Sequence, residues 1–485
     1  MSRTDHDKLY IGGRWVAPLG GQTLTVRSAA TEEIIGSVPA ASEADVDAAV
    51  VAARAAFTDP IGWRAWEPER RAAVLERFAD EIDKRTESII TAISRQNGMP
   101  ITVARKLEAG FSALLLRYYA KLIREQPAED VRPGMLVKET SVRRHPVGVV
   151  AAIVPWNVPQ TLTFTKVAPA MAAGCAIVVK PSPETVLDAY LMAEAARAAG
   201  VPDGVLSIVP GGRELGAYLV SHPGVDKVAF TGSTEGGRAV AEACARLLRP
   251  VSLELGGKSA AIFLDDADLD AAGIGESLFA ATLVNNGQVC FLGTRVLAPR
   301  SRYAEVIGLL EAVMKAAPVG DPLDEQTLIG PMASARQRDR VLAYIDAGRA
   351  EGARVIVGGG RASGPGWFVQ PTLFADVDNS SRIAQEEIFG PVLSVIPYDS
   401  DDDAVRIAND SAYGLGGTVW SSDSDRAVSV ASRVQTGTIG INGYAPEPTA
   451  PFGGVKASGI GREFGPEGLA SYQNFQSIYF PAGRG

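Results

Sequence analysis

VSLELGGKSAAIFLDDADLD (residues 251–270), followed after a helical segment by VNNGQVC (residues 284–290), places one carboxylate and one thiol in unusual surroundings. A β-branched run ends near Glu254 and meets a Gly-Gly turn, which is typical of a strand edge that opens to solvent or to a ligand. Cys290 follows a loop of Asn, Gly and Gln, whereas most buried cysteines lie among apolar residues. If both groups face one cleft, they form a nucleophile and a base. The alternative is a capping carboxylate and an incidental loop thiol.

Upstream of this stretch, apolar strand-like runs alternate with helical segments from Val147 onward. The run GVVAAIVP (residues 148–155) is continuously apolar, as a strand buried on both faces should be. The alternation predicts an open parallel sheet with helices on its faces, and such sheets bind ligands at the carboxyl ends of their strands. Further strands are predicted at residues 176–180, 205–209, 227–231 and 251–255, and helices at about 162–173, 184–199, near Glu214 and at 235–248.

Downstream, the same alternation with other segment lengths predicts a second α/β domain. Its helices are predicted at residues 268–284, 303–316, 334–351, 402–409 and 424–434, and its strands at 353–357, 391–397, 415–420 and 437–441. Residues 1 to about 45 indicate short strands and turns. Three helices are predicted to follow, namely one that starts at Ser42, one over 68–97 that Gly98 stops, and one over 102–124.

Two strand-like segments lie outside both predicted sheets. Residues 126–146 contain three prolines and alternate in polarity, which predicts a two-stranded ribbon that needs a partner surface. The tail SYQNFQSIYF (residues 471–480) also alternates like a strand. We therefore predict a shared oligomerisation sheet, the alternative being an ordinary edge hairpin.

The composition is that of a globular protein with two or three domains, because 485 residues exceed one ordinary core. The net charge of −9 and the lack of any Lys/Arg run longer than two argue against nucleic acid and anionic membrane as partners. The N-terminus has no apolar signal-peptide core, and no apolar run approaches the ~20 residues of a membrane span. We expect no membrane association.

Three cysteines, Cys175, Cys244 and Cys290, are far apart and odd in number, so no disulfide framework is implied and a reducing cytoplasm fits. The first two are predicted to be small core residues. The three histidines are not near other ligand types at metal spacing, which predicts no metal site. Because histidine is scarce, a carboxylate is the more plausible partner for a catalytic thiol.

Three further strand ends carry residues that could bind a ligand. The turn TGSTEGG (231–237) would let the backbone approach a pyrophosphate at a helix N-terminus, or it is a tight connection only. Lys180, in KPSPE (180–184), could bind ribose hydroxyls or phosphate, or it is a surface lysine. Asn157, in the stiff loop PWNVP (155–159), could donate to an oxyanion, or its side chain satisfies a turn.

Taken together, six motifs in this order resemble the aldehyde dehydrogenase superfamily, and the resemblance extends from IGGRWV near the N-terminus to the tail. The motifs are PWN (155–157), FTGS (230–233), ELGGK (254–258), NGQVC (286–290), EIFGP (387–391) and PFGG (451–454). The resemblance is to the NAD(P)-dependent, hydrolytic branch, which does not acylate coenzyme A.

The resemblance implies an α/β fold of the aldehyde dehydrogenase type, with two doubly wound α/β domains and a small β oligomerisation domain. The implied ranges are 1–125 and 147–255 for the dinucleotide-binding domain, 256–467 for the catalytic domain, and 126–146 and 468–485 for the oligomerisation ribbon and tail. Family habit implies a homo-oligomer, either a dimer or a tetramer, with a slight preference for the tetramer.

The same resemblance implies the catalytic roles. Cys290 would attack the aldehyde carbon, and the Asn157 amide with the Cys290 backbone N–H would hold the oxyanion. After hydride transfer to NAD(P)+, Glu254 would activate the water that hydrolyses the thioester. Lys166 matches a lysine that supports proton relay in the family.

For the cofactor, the resemblance implies Lys180 as a ribose ligand, Gly232 and Ser233 as the phosphate-side turn, Glu387 as the nicotinamide-ribose ligand and Phe389 as a neighbour of the nicotinamide. Trp156 would border the same site. The full implied set is Pro155, Trp156, Lys180, Ser182, Gly232, Ser233, Gly237, Leu255, Gly256, Glu387 and Phe389.

One departure from the family pattern concerns cofactor choice. NAD-preferring members often carry a glutamate three residues after the lysine, where this chain has Pro183, and Glu184 comes one residue later. We expect NAD, because Glu184 could reach round and no arginine is nearby in sequence to bind a 2′-phosphate. NADP remains the alternative.

The substrate tunnel is assigned by the same resemblance. The residues placed along it are Val158, Gln160, Leu162, Thr165, Val289, Phe291 and Phe452, with Phe111 at the mouth. Their mostly apolar character predicts a medium-chain aliphatic or aromatic aldehyde, although the same residues could be simple core packing.

Two other functions remain open at this point. A coenzyme A-acylating dehydrogenase is one, although Glu254 argues for water as the acyl acceptor. A non-catalytic structural family member is the other, and the presence of Cys290, Glu254 and Asn157 argues against it.

Overall fold

A computed structural model of the chain describes residues 3–127 and 129–482, so residues 1, 2, 128 and 483–485 of the predicted domain ranges lie outside it. Its strands are β1 (Thr4–Asp5), β2 (Leu9–Ile11), β3 (Arg14–Val16), β4 (Thr23–Arg27), β5 (Ile34–Pro39), β6 (Glu129–Pro133), β7 (Glu139–Pro146), β8 (Val149–Ile153), β9 (Ala176–Lys180), β10 (Leu206–Ile208), β11 (Lys227–Thr231), β12 (Val251–Glu254), β13 (Ala260–Phe263), β14 (Arg295–Pro299), β15 (Arg354–Val357), β16 (Thr372–Ala375), β17 (Val392–Tyr398), β18 (Gly417–Trp420), β19 (Gly440–Ile441), β20 (Gly459–Ile460) and β21 (Gln473–Phe480).

The helices are α1 (Glu43–Thr58), α2 (Pro68–Asp83), α3 (Thr86–Asn97), α4 (Ile101–Ala104), α5 (Gly110–Glu125), α6 (Pro159–Ala173), α7 (Leu187–Ala198), α8 (Arg213–Ser221), α9 (Thr234–Arg246), α10 (Ile274–Thr282), α11 (Tyr303–Ala316), α12 (Ala335–Ala350), α13 (Arg382–Gln385), α14 (Asp401–Asn409), α15 (Ser424–Ala431) and α16 (Gly465–Ala470). Short 3-10 turns lie at Trp63–Ala65, Asn285–Gly287, Arg300–Arg302 and Lys456–Ser458, and a π turn lies at Arg105–Ala109.

The first sheet has eight strands in the order β20-β12-β11-β8-β9-β10-β2-β3. Its five central strands, from β12 to β10, are parallel, which confirms the predicted open parallel sheet. Strands β8 and β9 are buried along their whole length, as a continuous apolar run requires. Register pairs Thr231 with Glu254 and Ile153 with Lys180, so the functional candidates on four strands end at the same edge.

The second sheet has seven strands in the order β15-β16-β17-β14-β13-β18-β19, all parallel except the edge pair β15 and β16. The prediction of a second α/β unit is confirmed, but the predicted strands omitted three of its members, β13, β14 and β16. Each has only four or five residues, and in such short segments periodicity does not separate a buried strand from its surroundings. The edge strand β20 comes from the predicted catalytic range and pairs with β12 of the first sheet.

The predicted ribbon and tail form one antiparallel sheet in the order β21-β7-β6. Strand β21 pairs with β7 from Gln473↔Pro146 to Phe480↔Glu139 without a register shift. A further small sheet, β1-β5-β4, lies near the N-terminus. The division of the chain into three functional domains is consistent with these sheets and stays a prediction.

The prediction of a single helix over 68–97 is wrong, because α2 and α3 are separated at Lys84 and Arg85. Arg85 leaves helical geometry (φ −106°, ψ 6°), and its guanidinium donates to the carbonyl and carboxylate of Glu81. The predicted stop is confirmed, since Gly98 ends α3 in the left-handed region (φ 78°). At Ser42 the predicted helix start is also confirmed, because Ser42 and Asp45 form a reciprocal capping box.

Three other predicted helices differ from the observed ones. The segment over 102–124 is divided by the π turn into α4 and α5. The helix at 162–173 begins three residues earlier, at Pro159, because proline suits the first helical position. The helix over 268–284 is shorter, since α10 begins only after Gly273, which has φ of 80°.

The largest apolar cluster joins α2, α3, α5 and α6 to the first sheet and reaches the side chains around Cys290. The N-terminal helices therefore pack directly behind the candidate site. Within residues 3–127 and 129–482, no helix has the length and apolar character needed to cross a bilayer. The same part of the chain contains no group of three or more potential metal ligands.

Candidate active site

The candidate residues meet at a cleft of about 850 Å³ along the carboxyl edge of the first sheet. Loops that precede strands of the second sheet close the cleft from the other side, with Cys290 before β14 and Glu387 and Phe389 before β17. Cofactor candidates that line it are Pro155, Trp156, Lys180, Ser182, Gly232, Ser233, Leu255, Gly256, Glu387 and Phe389. Gly237 does not line it, because it lies inside α9, where an added Cβ would be 2.4 Å from the Leu255 side chain.

The Gly-Gly turn after Glu254 lets the two halves approach closely. A Cβ at Gly256 would lie 2.4 Å from Glu387 Oε2, and a Cβ at Gly257 would lie 2.4 Å from the Cys290 carbonyl oxygen. The Gly257 N–H also donates to Glu387 Oε1 at 3.0 Å. At Gly257 the contact is with backbone, so glycine is required there for the first sheet to approach the Cys290 loop, whereas at Gly256 a larger residue would displace the Glu387 carboxylate.

Cys290 borders the cleft and is partly exposed to it. Its loop is held by two asparagines in left-handed conformation, Asn285 (φ 53°) and Asn286 (φ 61°). Asn286 Nδ2 donates to the carbonyls of Gly98 and Pro331, both at 2.9 Å. Burial, and then the nearby Glu254, raise the pKa of the Cys290 thiol well above its usual range. The resting thiol is neutral and needs a base to become a nucleophile.

Glu254 ends β12 and is 4 % exposed. Among the described residues its Oε1 has no hydrogen-bond partner. Burial, and then repulsion from Glu463, raise the pKa of Glu254 well above its usual range, while Lys166 and Arg462 act in the opposite direction. A carboxylate with a raised pKa is a stronger base than an exposed one, so Glu254 is suited to accept a proton.

Asn157 lies in the loop between β8 and α6 and lines the cleft beside Cys290. Its Nδ2 donates to the Gln288 backbone carbonyl at 2.9 Å. The backbone carbonyl of Asn157 accepts hydrogen bonds from the side-chain amides of Asn97 and Asn285. A side-chain amide has two N–H donors, so one remains for an oxygen in the cleft. Gln288 and Asn285 thus tie the oxyanion candidate to the nucleophile loop.

Lys166 is fully buried on α6, and its Nζ donates to Thr231 Oγ1 and to Glu463 Oε1, both at 2.7 Å. Two weaker contacts reach the Leu162 carbonyl at 3.3 Å and Thr165 Oγ1 at 3.2 Å. Sequence reasoning missed Glu463, because no local motif marks a carboxylate nearly 300 residues away as the partner of a buried lysine. The buried ion pair joins Glu463 to Lys166 of α6, and both of these residues influence the pKa of Glu254.

The cofactor half of the cleft contains a buried lysine and a buried glutamate. Lys180 Nζ donates to the carbonyls of Pro181 and Gly211, and burial lowers the pKa of Lys180 to about 8. At the other end burial raises the pKa of Glu387 to about 7. The Trp156 and Phe389 rings meet edge to face at 5.4 Å. A long cleft suits a dinucleotide when a side chain at each end can bind ribose hydroxyls and aromatic rings line the wall between them.

Two arginines reach the Glu184 side of the cleft, although none is near Lys180 in sequence. Arg213 and Arg336, distant in sequence, both line the cleft. Arg336 lies 3.5 Å from Glu184 Oε1, and Ser182 Oγ donates to Glu184 Oε2 at 2.5 Å. Glu184 therefore does face the cleft, as the expectation for NAD required.

The tunnel candidates divide into two groups. Leu162 lines the cleft, and Val158, Val289, Phe291 and Phe452 pack around the nucleophile in one apolar cluster. Gln160 is wrongly assigned to the tunnel, because its buried Nε2 donates to the carbonyl and carboxylate of Asp188 on α7. Thr165 is also buried and bonds to the Leu162 carbonyl.

A chain of aromatic rings extends from the nucleophile to the N-terminal helices. Tyr444 stacks on Phe291 at 4.5 Å, Phe291 meets Phe452 at 6.4 Å, Phe452 meets Phe464 at 5.7 Å, and Phe464 meets Phe111 at 5.7 Å. Sequence reasoning missed Tyr444 and Phe464, because they follow Gly-rich and Pro-rich turns that have no periodicity. These five rings are not among the residues that line the cleft; they belong to, or pack against, the apolar cluster that Cys290 also contacts.

Comparisons with known proteins agree with this geometry. A family model described as the aldehyde dehydrogenase family matches residues 15–478. The chain is 58% identical to geranial dehydrogenase of Castellaniella defragrans, over 98% of this chain and 99% of that protein. It is 42% identical to a 3-succinoylsemialdehyde-pyridine dehydrogenase of Pseudomonas sp, over 98% of each.

Two solved structures are also similar. The crystal structure of a Mycobacterium tuberculosis aldehyde dehydrogenase complexed with NAD+ is 47% identical, with a TM-score of 0.97 and full coverage of both chains. A cysteine-to-alanine mutant of a Pseudomonas syringae aldehyde dehydrogenase, complexed with NAD+ and octanal, is 43% identical, with a TM-score of 0.94 and coverage of 99% and 98%. The chain belongs to the aldehyde dehydrogenase family.

Proposed function

We propose that this chain oxidises an apolar aldehyde to the carboxylic acid with NAD+, through a covalent thioester on Cys290. The observation that carries the proposal is that Cys290 and Asn157 line one dinucleotide-sized cleft, while the buried Glu254 is close enough to raise the pKa of the Cys290 thiol. Membership of the aldehyde dehydrogenase family supports the reaction class and NAD+ as the cofactor.

In the first step Cys290 Sγ forms a bond to the aldehyde carbon while its proton passes to a base. Glu254 is the candidate base, because its raised pKa favours proton uptake. The electron pair of the carbonyl moves to oxygen, and the Asn157 amide and the Cys290 backbone N–H donate to that oxyanion. Fixed donors of this kind stabilise the charge as it develops.

In the second step the oxyanion re-forms a carbonyl and the aldehyde C–H bond breaks, with both electrons leaving as hydride. NAD+, when bound, supplies the hydride acceptor. Lys180 and Glu387 would hold its ribose hydroxyls, and Gly232 with Ser233 would face its pyrophosphate at the N-terminus of α9. These residues hold the two reacting carbons together without taking part in bond changes.

In the third step Glu254 removes a proton from water, and the oxygen attacks the thioester carbon. The C–S bond breaks, the acid is released and the sulfur takes back a proton. Glu254 must therefore lose the first proton before it takes the second. The Lys166–Glu463 ion pair, which influences the Glu254 pKa from both directions, is the candidate route.

The substrate is proposed to be an apolar, medium-length aldehyde such as an unsaturated isoprenoid aldehyde. The chain of rings from Tyr444 to Phe111, which packs in the same apolar cluster as Cys290, supports this class, as does the 58% identity to geranial dehydrogenase. The test is a panel of geranial, octanal, benzaldehyde and succinate semialdehyde, each with NAD+ and NADP+, read by absorbance of the reduced cofactor. Higher kcat/KM for succinate semialdehyde than for geranial and octanal would overturn the class.

The chain is also proposed to form a homo-oligomer through the β21-β7-β6 sheet. Apolar side chains of this sheet and its hairpin are exposed, namely Val131, Met135, Leu136, Phe475 and Tyr479. Light scattering of the purified protein tests this, and a monomer at micromolar concentration would contradict it. The free thiols of Cys175 and Cys244 support a reducing compartment such as the cytoplasm.

A further inference from the structure

The loop that presents Asn157 has few hydrogen-bonding groups of its own to hold it. It leads into α6, whose N-cap residue, Val158, has no capping side chain, and whose first residue, Pro159, has no N–H. Helix starts leave several N–H groups without intrahelical partners. Besides Asn285 and Gln288 of the loop before β14, the groups that bond to this loop and to this helix start come from the N-terminal helices.

Glu108, on the π turn, is one of these groups. It is 0 % exposed, and its Oε2 accepts the backbone N–H of Thr161 at 2.8 Å. Thr161 Oγ1 in turn donates to the Leu107 carbonyl. The π turn and the first turn of α6 are thus joined by two hydrogen bonds, and π turns of this kind often mark functional sites.

Asn97, the last residue of α3, is the second group. Its Nδ2 donates to the carbonyls of Trp156 and Asn157, both at 3.1 Å, and its Oδ1 accepts the Met99 N–H at 3.0 Å. Asn97 is 1 % exposed, so these bonds are shielded from water. The Asn97 side chain therefore fixes the backbone carbonyl before the Cα of Asn157 and the backbone carbonyl after it.

We propose that Glu108 and Asn97 are positioning residues for oxyanion stabilisation, which hold the Asn157 loop from the two sides so that its amide faces the Cys290 sulfur. Neither residue lines the cleft. They act only through Asn157, so this inference rests on the proposed role of Asn157. A displacement of about 1 Å in a catalytic group can cost on the order of 100-fold in rate.

Glu108 is fully buried, and burial favours the neutral form of its carboxyl group. Burial, and then the nearby Asp188 of α7, raise the pKa of Glu108 well above its usual range, while the Thr161 N–H lowers it. Asp188 is itself held by the amides of Gln96 and Gln160, and burial raises its pKa to about 6. Glutamine at position 108 reproduces the shape and the acceptor of a protonated glutamate.

The first experiment measures steady-state kinetics of Glu108→Gln, Glu108→Ala and Asn97→Ala with octanal and NAD+. Glu108→Gln should keep kcat within about 3-fold, whereas the two alanine variants should lose roughly 10-fold to 100-fold in kcat with KM for NAD+ unchanged. Ser112→Ala is the matched control, because Ser112 is buried one turn after Glu108 and bonds only to the Glu108 carbonyl. Its kcat should equal that of the unmodified protein.

The second experiment combines each alanine variant with Asn157→Ala. If Glu108 and Asn97 act through Asn157, adding either substitution to Asn157→Ala should change kcat by less than about 2-fold. Multiplicative losses would overturn the proposal, as would unchanged kcat in both alanine single variants or loss in Glu108→Gln equal to that in Glu108→Ala. If Glu108→Ala does not fold, the Asn97→Ala arm decides alone.

The two proposals fail in different ways. An Asn157→Ala variant with unchanged kcat would contradict the proposed function of Asn157. An Asn157→Ala variant that loses kcat, with Asn97→Ala and Glu108→Ala unaffected, would contradict the positioning role alone.

Discussion

The two large sheets have the same parallel architecture, yet they contribute opposite ends to the cleft. The first sheet presents the carboxyl ends of its strands, with Lys180 closing β9 and Glu254 closing β12. The second sheet presents the loops before its strands, with Cys290 before β14 and Glu387 before β17. The rule that ligands bind at carboxyl ends holds for the first sheet and fails for the second.

The carboxyl ends of the second sheet have a different character. There Arg426 donates to Asp265 and Asp401, and Ser421 donates to Asp266, in a half-exposed network whose charges are paired. At the cleft the charged groups are buried, and Glu254 and Cys290 have strongly raised pKa values. The two ends therefore differ in the cause of the shift, because burial raises the pKa values of Glu254 and Cys290 at the cleft, whereas bonds to Asp401 and Asp265 raise the pKa of Arg426 at the other end.

The largest expected effect comes from replacing Cys290, the proposed nucleophile, in the loop before β14. Cys290→Ser should lower kcat by at least about 1,000-fold, because a hydroxyl is a much weaker nucleophile than a thiolate at the same position. Its thermal unfolding midpoint should stay within a few degrees of the unmodified protein. Cys244→Ser is the control, since Cys244 is buried on α9 away from the cleft. Equal loss in both variants would contradict the assignment.

The next effect tests Glu254 through pH. The pKa of Glu254 is raised, so Glu254 loses its proton at a pH well above the range in which carboxyl groups usually do. If thioester hydrolysis limits kcat, kcat should rise with pH in that higher range, because only deprotonated Glu254 can activate water. Glu254→Gln should lower kcat by roughly 100-fold to 1,000-fold and remove this rise. The first turnover of NADH should also slow, because Glu254 is the proposed base for Cys290, but it should still precede the slower steady state. Rapid-mixing absorbance at several pH values measures both. A variant that keeps the rise would show that another group titrates.

A smaller effect concerns the adenosine end of the cleft. Glu184, held by Ser182 and Arg336, should repel a 2′-phosphate, so the unmodified protein should prefer NAD+. Glu184→Gln should raise the ratio of kcat/KM for NADP+ to that for NAD+ by about 10-fold. Glu242→Gln, on the exposed part of α9, is the control and should leave the ratio unchanged. A higher kcat/KM for NADP+ in the unmodified protein would contradict the NAD preference.

The smallest effect is expected at the carboxyl end of the second sheet. Arg426→Ala should leave kcat/KM within about 2-fold and lower the free energy of unfolding by about 1 kcal/mol, because the ion pairs that it removes are partly exposed. Denaturant unfolding at low and high salt measures the loss, which salt should reduce. A large loss of activity would mean that this end also communicates with the cleft.

Much of the first sheet could be predicted from sequence, because continuous apolar runs such as 148–155 and the helices between them have clear periodicity. Local context left the roles of Cys290 and Glu254 open, and six ordered motifs then predicted them to be the nucleophile and the base. The short strands β13 and β16 were missed, since four residues carry no period. The helix break at Arg85 was also missed, because neither glycine nor proline marks it in the sequence.

The partners of the site residues could not be predicted in the same way. Glu463 lies opposite Lys166 only because β20 returns to the first sheet, and Asn97 contacts Asn157 only because the carboxyl end of α3 meets the loop between β8 and α6. Gln160 was misplaced because its neighbours in sequence line the tunnel while its own amide reaches Asp188. Long-range pairing of polar groups is set by tertiary packing, which local patterns do not encode.

The central claim is that Cys290 carries the acyl group until Glu254 activates water. The most direct measurement is intact-protein and peptide mass spectrometry of Glu254→Gln after mixing with octanal and NAD+, followed by rapid acid quenching. The account predicts one octanoyl group per chain, on the peptide that contains Cys290 and not on those with Cys175 or Cys244. Formation of NADH without an acyl group on Cys290, or with the acyl group on another residue, would contradict the account.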